Sequence, residues 1–182
     1  MDFAETEDQK MIRSMVREFS ETVAGPTCDK RDKEQISPIE EFKKFSELGF
    51  AGMTIPEEYG GQKLDDISEA IVVEELSRVD ASLGVMVAVH VGLCSMTIAL
   101  SGNEEQKKKY LPKLASGEFL GAYSLSEAGS GTDAAAMVAK ATDDGEHFTL
   151  NGEKMWVTNG TTADLFVLFA KVADHPDYGK KS

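Results

Sequence analysis

Two grammars of apolar and polar positions divide the chain. In the first, Met11, Ile12, Met15, Val16, Phe19 and Val23 recur at helical spacing behind a capping box of Thr6 and Gln9. Gly25-Pro26 reads as the end of that helix. Ser37 is placed to cap a second one, with Pro38 in its first position and Glu40 reaching back. Phe42, Phe45 and Leu48 then line one face before Gly49. Residues 51 to 65, with Pro56 and Gly60-Gly61, read as a loop. Helices resume near Asp66, Asp80 can cap the next, and Asn103 before Glu104-Glu105-Gln106 caps a short polar helix that Pro112 interrupts.

Past Gly117 the period shortens. Leu120 to Leu125 is a short apolar run and Val138 to Thr142 looks extended. Asp143-Asp144-Gly145 and Asn151-Gly152 read as hairpin turns, because glycine accepts the positive backbone angles such turns need. His147 to Leu150, Lys154 to Thr158 and Leu165 to Val172 then read as antiparallel strands, and Asp174 to Ser182 as a polar loop. The fold class expected is α+β: a mostly helical N-terminal bundle over 1–119, then part of an antiparallel β domain over 120–182. An apolar strand left at the edge makes that sheet look unfinished.

Composition narrows the function. The 182 residues suit one domain and a fraction, and 41% hydrophobic with 28% charged is a globular balance. Acidic residues outnumber basic ones 32 to 19, for a net charge of -13, with arginine only at 13, 17, 31 and 78. Phosphate backbones are held by clustered cations, so nucleic acid and anionic membrane are set aside. Cys28 and Cys94 lie far apart and form no CxxC, which favours a reducing compartment. The acidic start resembles neither a signal nor a transit peptide, so a cytoplasmic location is expected. Ala81 to Leu100 carries no formal charge and is long enough to cross a bilayer, but its Ser, Gly, His and Thr also suit the centre of a helical bundle.

The richest chemistry lies in Tyr123-Ser-Leu-Ser-Glu-Ala-Gly-Ser-Gly-Thr-Asp133. Gly129 to Ala134 fits the dinucleotide pattern G-x-G-x-x-A, but too few residues precede the Asp143-Asp144-Gly145 turn for a crossover helix. Two readings remain. The glycines can converge backbone N–H groups on an anion, with Ser126, Ser130 and Thr132 adding hydroxyls, or they can form a plain turn between strands. Lys154 to Gly160 holds the only tryptophan, Trp156, beside the hydroxyl of Thr158. His90 reads as a core histidine, and His147 and His175 share no metal-ligand spacing with it; no metal site is expected.

Tyr123 to Asp133 resembles the first flavin-binding signature of the acyl-CoA dehydrogenases. Leu150-Asn-Gly-Glu-Lys-Met-Trp-Val-Thr-Asn-Gly160 resembles the second. Ile55-Pro-Glu-Glu-Tyr-Gly-Gly61 and the run from Gly102 to Gly117 agree with the same family, in order and separation. The resemblance implies FAD over the β domain and a C-terminal helical bundle that these residues do not contain. By it Tyr123, Leu125 and Ser126 meet the flavin, Gly131 and Thr132 approach the pyrophosphate and the CoA end of the substrate, and Trp156, Val157 and Thr158 lie along the ring. Val85, Met86 and Val89 fall on the helix that lines the acyl pocket.

The reaction so implied is α,β-dehydrogenation of an acyl-CoA thioester to the trans-2-enoyl-CoA, as in fatty acid β-oxidation. Electrons go to an electron-transfer flavoprotein, or to oxygen in the oxidase branch. A homo-oligomer, a tetramer at full length, is implied too. The alternative is a non-catalytic flavin- or CoA-binding module. Ala128 departs from the family's usual proline, and Ser126 and Thr132 exchange its usual hydroxyl residues. By the resemblance the catalytic carboxylate lies beyond Ser182, so no catalytic residue is nominated and these residues alone are expected to be inactive. Glu127 is expected to hold loop backbone.

Overall fold

The structure, a computed structural model, describes residues 4–172. Helices come first: α1 (Glu7–Phe19), α2 (Gly25–Glu34), α3 (Ile39–Glu47), α4 (Asp66–Val79), α5 (Ala81–Ala88), α6 (Met96–Ser101) and α7 (Glu104–Ala115). Strands follow: β1 (Gly121–Ser124), β2 (Lys140–Asp143), β3 (Phe148–Asn151), β4 (Leu165–Leu168) and β5 (Lys171–Val172). The order of helices then strands is the one the sequence predicts. The predicted terminal loop from Asp174, and His175, lie outside the described residues.

Local signals set most of the helix starts. Thr6 and Gln9, and again Asn103 and Gln106, close reciprocal capping boxes. Asp65 accepts from the N–H groups of Ile67 and Ser68, and Asp80 from that of Leu83. At α3 the prediction is off. Ser37 makes no side-chain cap, Pro38 stands at the cap position, and Glu40 instead pairs with Lys43 at 2.9 Å.

Neither proline breaks its helix. A π turn over Ser20–Ala24 carries α1 into α2, with the Gly25 N–H donating to the Ser20 carbonyl, so Pro26 enters where the α ladder is already shifted. Pro112 sits inside α7. The N–H it lacks would have served the carbonyl of Lys108, an exposed residue, where water can take its place.

The main core gathers Val16, Phe19, Phe42, Phe45, Phe50, Leu76, Leu83, Val87 and Val91. The rings of Phe19 and Phe50 each lie 5.1 Å from that of Phe45. Residues 51–65 are less of a loop than their prolines and glycines suggest. They carry short 3-10 turns at Phe50–Gly52 and Glu57–Tyr59, and Ala51, Met53 and Ile55 are fully buried. The apolar helix from Ala81 to Ser101 is long enough for a membrane, yet half of it is buried within the protein. It passes through a π-helical stretch at Val89–Ser95 and puts Val87, His90, Val91, Cys94 and Ser95 into the interior.

Charges are also buried, but in pairs. Glu75 accepts from Arg17 and Arg13 at 2.7 Å and from Arg78 at 3.3 Å. The Arg17 guanidinium, opposed by burial and joined by Arg13 and Arg78, holds the Glu75 carboxyl down at about 2. Arg31 reaches Asp80 at 2.8 Å and Glu41 at 3.3 Å, locking α2 to α3 and to the start of α5.

Strand pairing differs in sense from the prediction in two of the three ladders. Among the strands of the described residues only β2 and β3 pair antiparallel; β1 pairs β4, and β2 pairs β5, in parallel. The predicted strand from Leu165 to Val172 divides after Leu168. Its first half joins β1 and its second half joins β2, so this segment passes from one sheet to the other. Lys154 to Thr158 is not a strand but an irregular segment that bends at Trp156 and enters a turn at Thr158, and Asn151-Gly152 closes no hairpin. Gly152 instead lies so close to Ala139 that an added Cβ would come within 2.7 Å of its Cα. The antiparallel β2–β3 hairpin removes the dinucleotide-fold reading of the glycine loop, which needs a parallel strand there.

Candidate functional site

His90 ties the helical part to the first strand. Fully buried, its Nδ1 accepts from the N–H of Gly121 at 3.0 Å, while Nε2 donates towards the carbonyls of Leu114 at 3.1 Å and Ala51 at 3.2 Å. Only the neutral Nε2–H tautomer satisfies all three contacts. Burial pushes the imidazole down to about 4 despite those carbonyls. It is the core histidine that its setting predicts. Gly121 comes so close to Cys94 that a Cβ would lie 2.6 Å from the sulfur, so β1 lies flat on the helix.

That contact brings the end of β1 against the helix at Val89 and Leu93. A pocket of about 260 Å³ opens there, walled by Val89, Leu93, Tyr123, Leu125, Ser126, Met155, Trp156 and Thr158. A second opening of about 660 Å³ shares Thr158 with the first and includes Val85, Met86 and Val157. Six of the eight residues assigned to the flavin (Tyr123, Leu125, Ser126, Trp156, Val157 and Thr158), together with Val85, Met86 and Val89, therefore surround these two adjoining spaces. Gly131 and Thr132 do not. They stand on the exposed glycine loop, where nothing lies within 4 Å of a Cβ added at Gly129 or Gly131.

Trp156 is the most telling side chain of the set. It is 87% exposed and its φ is 57°, a left-handed conformation that a bulky side chain rarely adopts. A strand indole would be expected in the core; this one stands in solvent over a pocket. The hydroxyls of Ser126 and Thr158 make no hydrogen bond among the described residues. An exposed indole, free hydroxyls and an open glycine loop together suit a large planar ligand with a polar edge and an anionic tail.

The glycine loop is held by Glu127. Its carboxylate accepts from the N–H groups of Val138 at 2.6 Å and Ala139 at 3.1 Å, and from the ammonium of Lys154 at 2.8 Å. Lys154 foremost, with those two N–H groups, holds the carboxyl down at about 2. Glu127 thus holds loop backbone, as expected, and is no candidate base. Ser130 differs from expectation: its hydroxyl donates to the carbonyl of Asp133 at 2.9 Å, so its one O–H is not free to donate to an anion.

Three contributors escape sequence reasoning. Leu93 lines the pocket. Lys154 donates to the carbonyl of Leu125, a residue of the pocket wall, at 2.9 Å. Asn159, with φ 66°, donates through Nδ2 to the carbonyls of Gly121 at 3.0 Å and Met86 at 3.2 Å. The Asn159-Gly160 pair signals a turn, but nothing local names carbonyls 38 and 73 residues away.

Comparison with known proteins agrees with this geometry. The family description "Acyl-CoA dehydrogenase, N-terminal domain" matches residues 6–118, and "Acyl-CoA dehydrogenase, middle domain" matches residues 122–182. The chain is 44% identical over 170 residues to the short-chain specific acyl-CoA dehydrogenase of Clostridium acetobutylicum, covering 93% of this chain and 45% of that protein. Among solved structures, an acyl-CoA dehydrogenase complexed with FAD from Bacillus anthracis superposes with a TM-score of 0.87 at 41% identity, covering 92% of this chain and 29% of that one. A chain from the electron transferring flavoprotein of Acidaminococcus fermentans, studied for flavin-based electron bifurcation, gives 0.89 at 46%, covering 93% and 45%. The chain thus spans less than half the length of these relatives. By both domain matches and by its fold, the chain belongs to the acyl-CoA dehydrogenase family.

Proposed function

We propose that the protein serves the FAD-dependent α,β-dehydrogenation of an acyl-CoA thioester to the trans-2-enoyl-CoA. The observation that carries this reading is the convergence of Val89, Leu93, Tyr123, Leu125, Ser126, Trp156 and Thr158 on one pocket between a core helix and two loops. Bound FAD would supply the acceptor for the hydride leaving the acyl group. Trp156, Val157 and Thr158 would hold the flavin from one side and Tyr123, Leu125 and Ser126 from the other. Gly131 and Thr132, on the open loop, would reach the pyrophosphate and the CoA end. Val85, Met86 and Val89 offer an apolar wall for the acyl chain and exclude water from it. Among the described residues no carboxylate lines the 260 Å³ pocket, so the proton-abstracting base of this reaction is not assigned there.

The finer parts of the proposal are these. Residues 1–119 act as the helical domain and 120–182 as part of the β domain, in a homotetramer. The electron acceptor is an electron-transfer flavoprotein, a partner favoured by the likeness to the Acidaminococcus fermentans chain. The location is cytoplasmic, in keeping with the free thiols of Cys28 and Cys94. Steady-state assays of the full-length protein supplied with FAD and an acyl-CoA series test the reading. The 2-enoyl thioester should form with an electron-transfer flavoprotein and only slowly with oxygen. Rapid turnover with oxygen alone would assign the oxidase branch, and bound flavin without product would assign a binding module.

A further inference from the structure

The ion pair between Glu127 and Lys154 joins the two halves of the pocket. Its side chains are 4% and 8% exposed, and it spans 27 residues of sequence. Lys154 donates at once to Glu127 Oε1 at 2.8 Å and to the Leu125 carbonyl at 2.9 Å. The next residue, Met155, donates its N–H to the Ser126 carbonyl at 2.9 Å, and the residue after that is Trp156. On the far side, Asn159 fixes the same turn to Met86 and Gly121, and the Gly160 N–H closes it onto Val157 at 2.9 Å. Trp156 is thus suspended between two anchors, and its left-handed backbone is a conformation that persists only where surroundings impose it.

We propose that Glu127 and Lys154 are positioning residues, whose buried ion pair holds the Trp156 turn at a set distance from Leu125 and Ser126 and so fixes the width of the slot for the flavin. The slot rests on the reading of FAD above; the clamp does not. Glu127 is well suited to the task because it also accepts from the Val138 and Ala139 N–H groups, so that one carboxylate sets the glycine loop, the entry to β2 and the Trp156 turn together. Lys154 adds direction: its second bond, to the Leu125 carbonyl, ends on a residue that itself faces the pocket. The pair touches the pocket only through the segments it holds.

The test uses the full-length protein with Lys154→Met, which keeps the aliphatic stem, and Lys154→Arg, which keeps the charge. Two quantities are read: hydrogen exchange of the peptide spanning 153–160 in the flavin-free protein, and the FAD dissociation constant from flavin fluorescence. Lys154→Met should speed exchange in that peptide and weaken FAD by about tenfold or more, with far-ultraviolet circular dichroism unchanged. Lys154→Arg should restore most of both. Equal exchange and equal FAD affinity in Lys154→Met and the unsubstituted protein would overturn the proposal. So would equal loss in both variants, since shape rather than charge would then be at work. Should Lys154→Met fail to fold, Glu127→Gln takes its place with the same two readouts and the same deciding outcomes. An unsubstituted protein that binds no FAD would sink the functional reading, and the exchange measurement would then judge the clamp alone.

Discussion

At the scale of single residues, the site depends on groups whose chemistry is spent on the protein itself. His90 is the clearest. Its imidazole has one acceptor and one donor, and both are used inside the fold, which leaves nothing for catalysis. Because burial lowers it from 6.5 to about 4, the unfolded chain binds a proton more readily than the folded one between those values. Its contribution is therefore complete above pH 6.5 and is lost as pH falls through about 4, a loss on the order of 3 kcal/mol. Urea unfolding across that interval should show stability falling with pH, and His90→Gln should flatten the fall. An unchanged slope in the variant would contradict this account of His90. The sequence made His90 legible as core, from its place on an apolar helix. It gave no hint that the Gly121 N–H is its partner, 31 residues on.

At the scale of elements, legibility tracked how local the cause was. Thr6, Asp80 and Asn103 cap their helices as read, because a cap is decided within three residues, and Asp65, which the reading did not single out, caps α4 in the same way. Pro26 and Pro112 were misleading because what accommodates them is a π turn and solvent, neither of which is written in a propensity. The residues from Lys154 to Thr158 look like a strand by composition, yet β1 takes β4 as its partner and the long-range bonds of Lys154 and Asn159 bend the segment into a turn. Tertiary contacts outrank local preference here. Gly121 shows the same dependence in a testable form. Gly121→Ala would place a methyl 2.6 Å from the Cys94 sulfur and 2.7 Å from its Cβ, in a buried seam that cannot yield cheaply. A loss of about 1–3 kcal/mol in thermal or urea unfolding is expected. A variant as stable as the parent would show that the β1–helix seam is looser than described.

At the scale of the whole molecule, a helical layer and a small sheet meet along β1, and the pocket opens where β1 ends. The -13 charge that sets nucleic acid aside does not oppose a phosphate-bearing ligand, since backbone N–H groups and hydroxyls can hold it without net positive charge. Family membership was legible because four separated motifs agree in order. The pocket was legible only as a set of residues; its shape comes from the parallel pairing of β1 with β4 and from the Glu127–Lys154 pair. The most direct test of the central claim is an anaerobic titration of the purified full-length protein with acyl-CoA thioesters, followed by its visible flavin absorbance. The account predicts stoichiometric flavin that bleaches as a matching thioester is added. A protein without flavin, or flavin that no acyl-CoA bleaches, would contradict it.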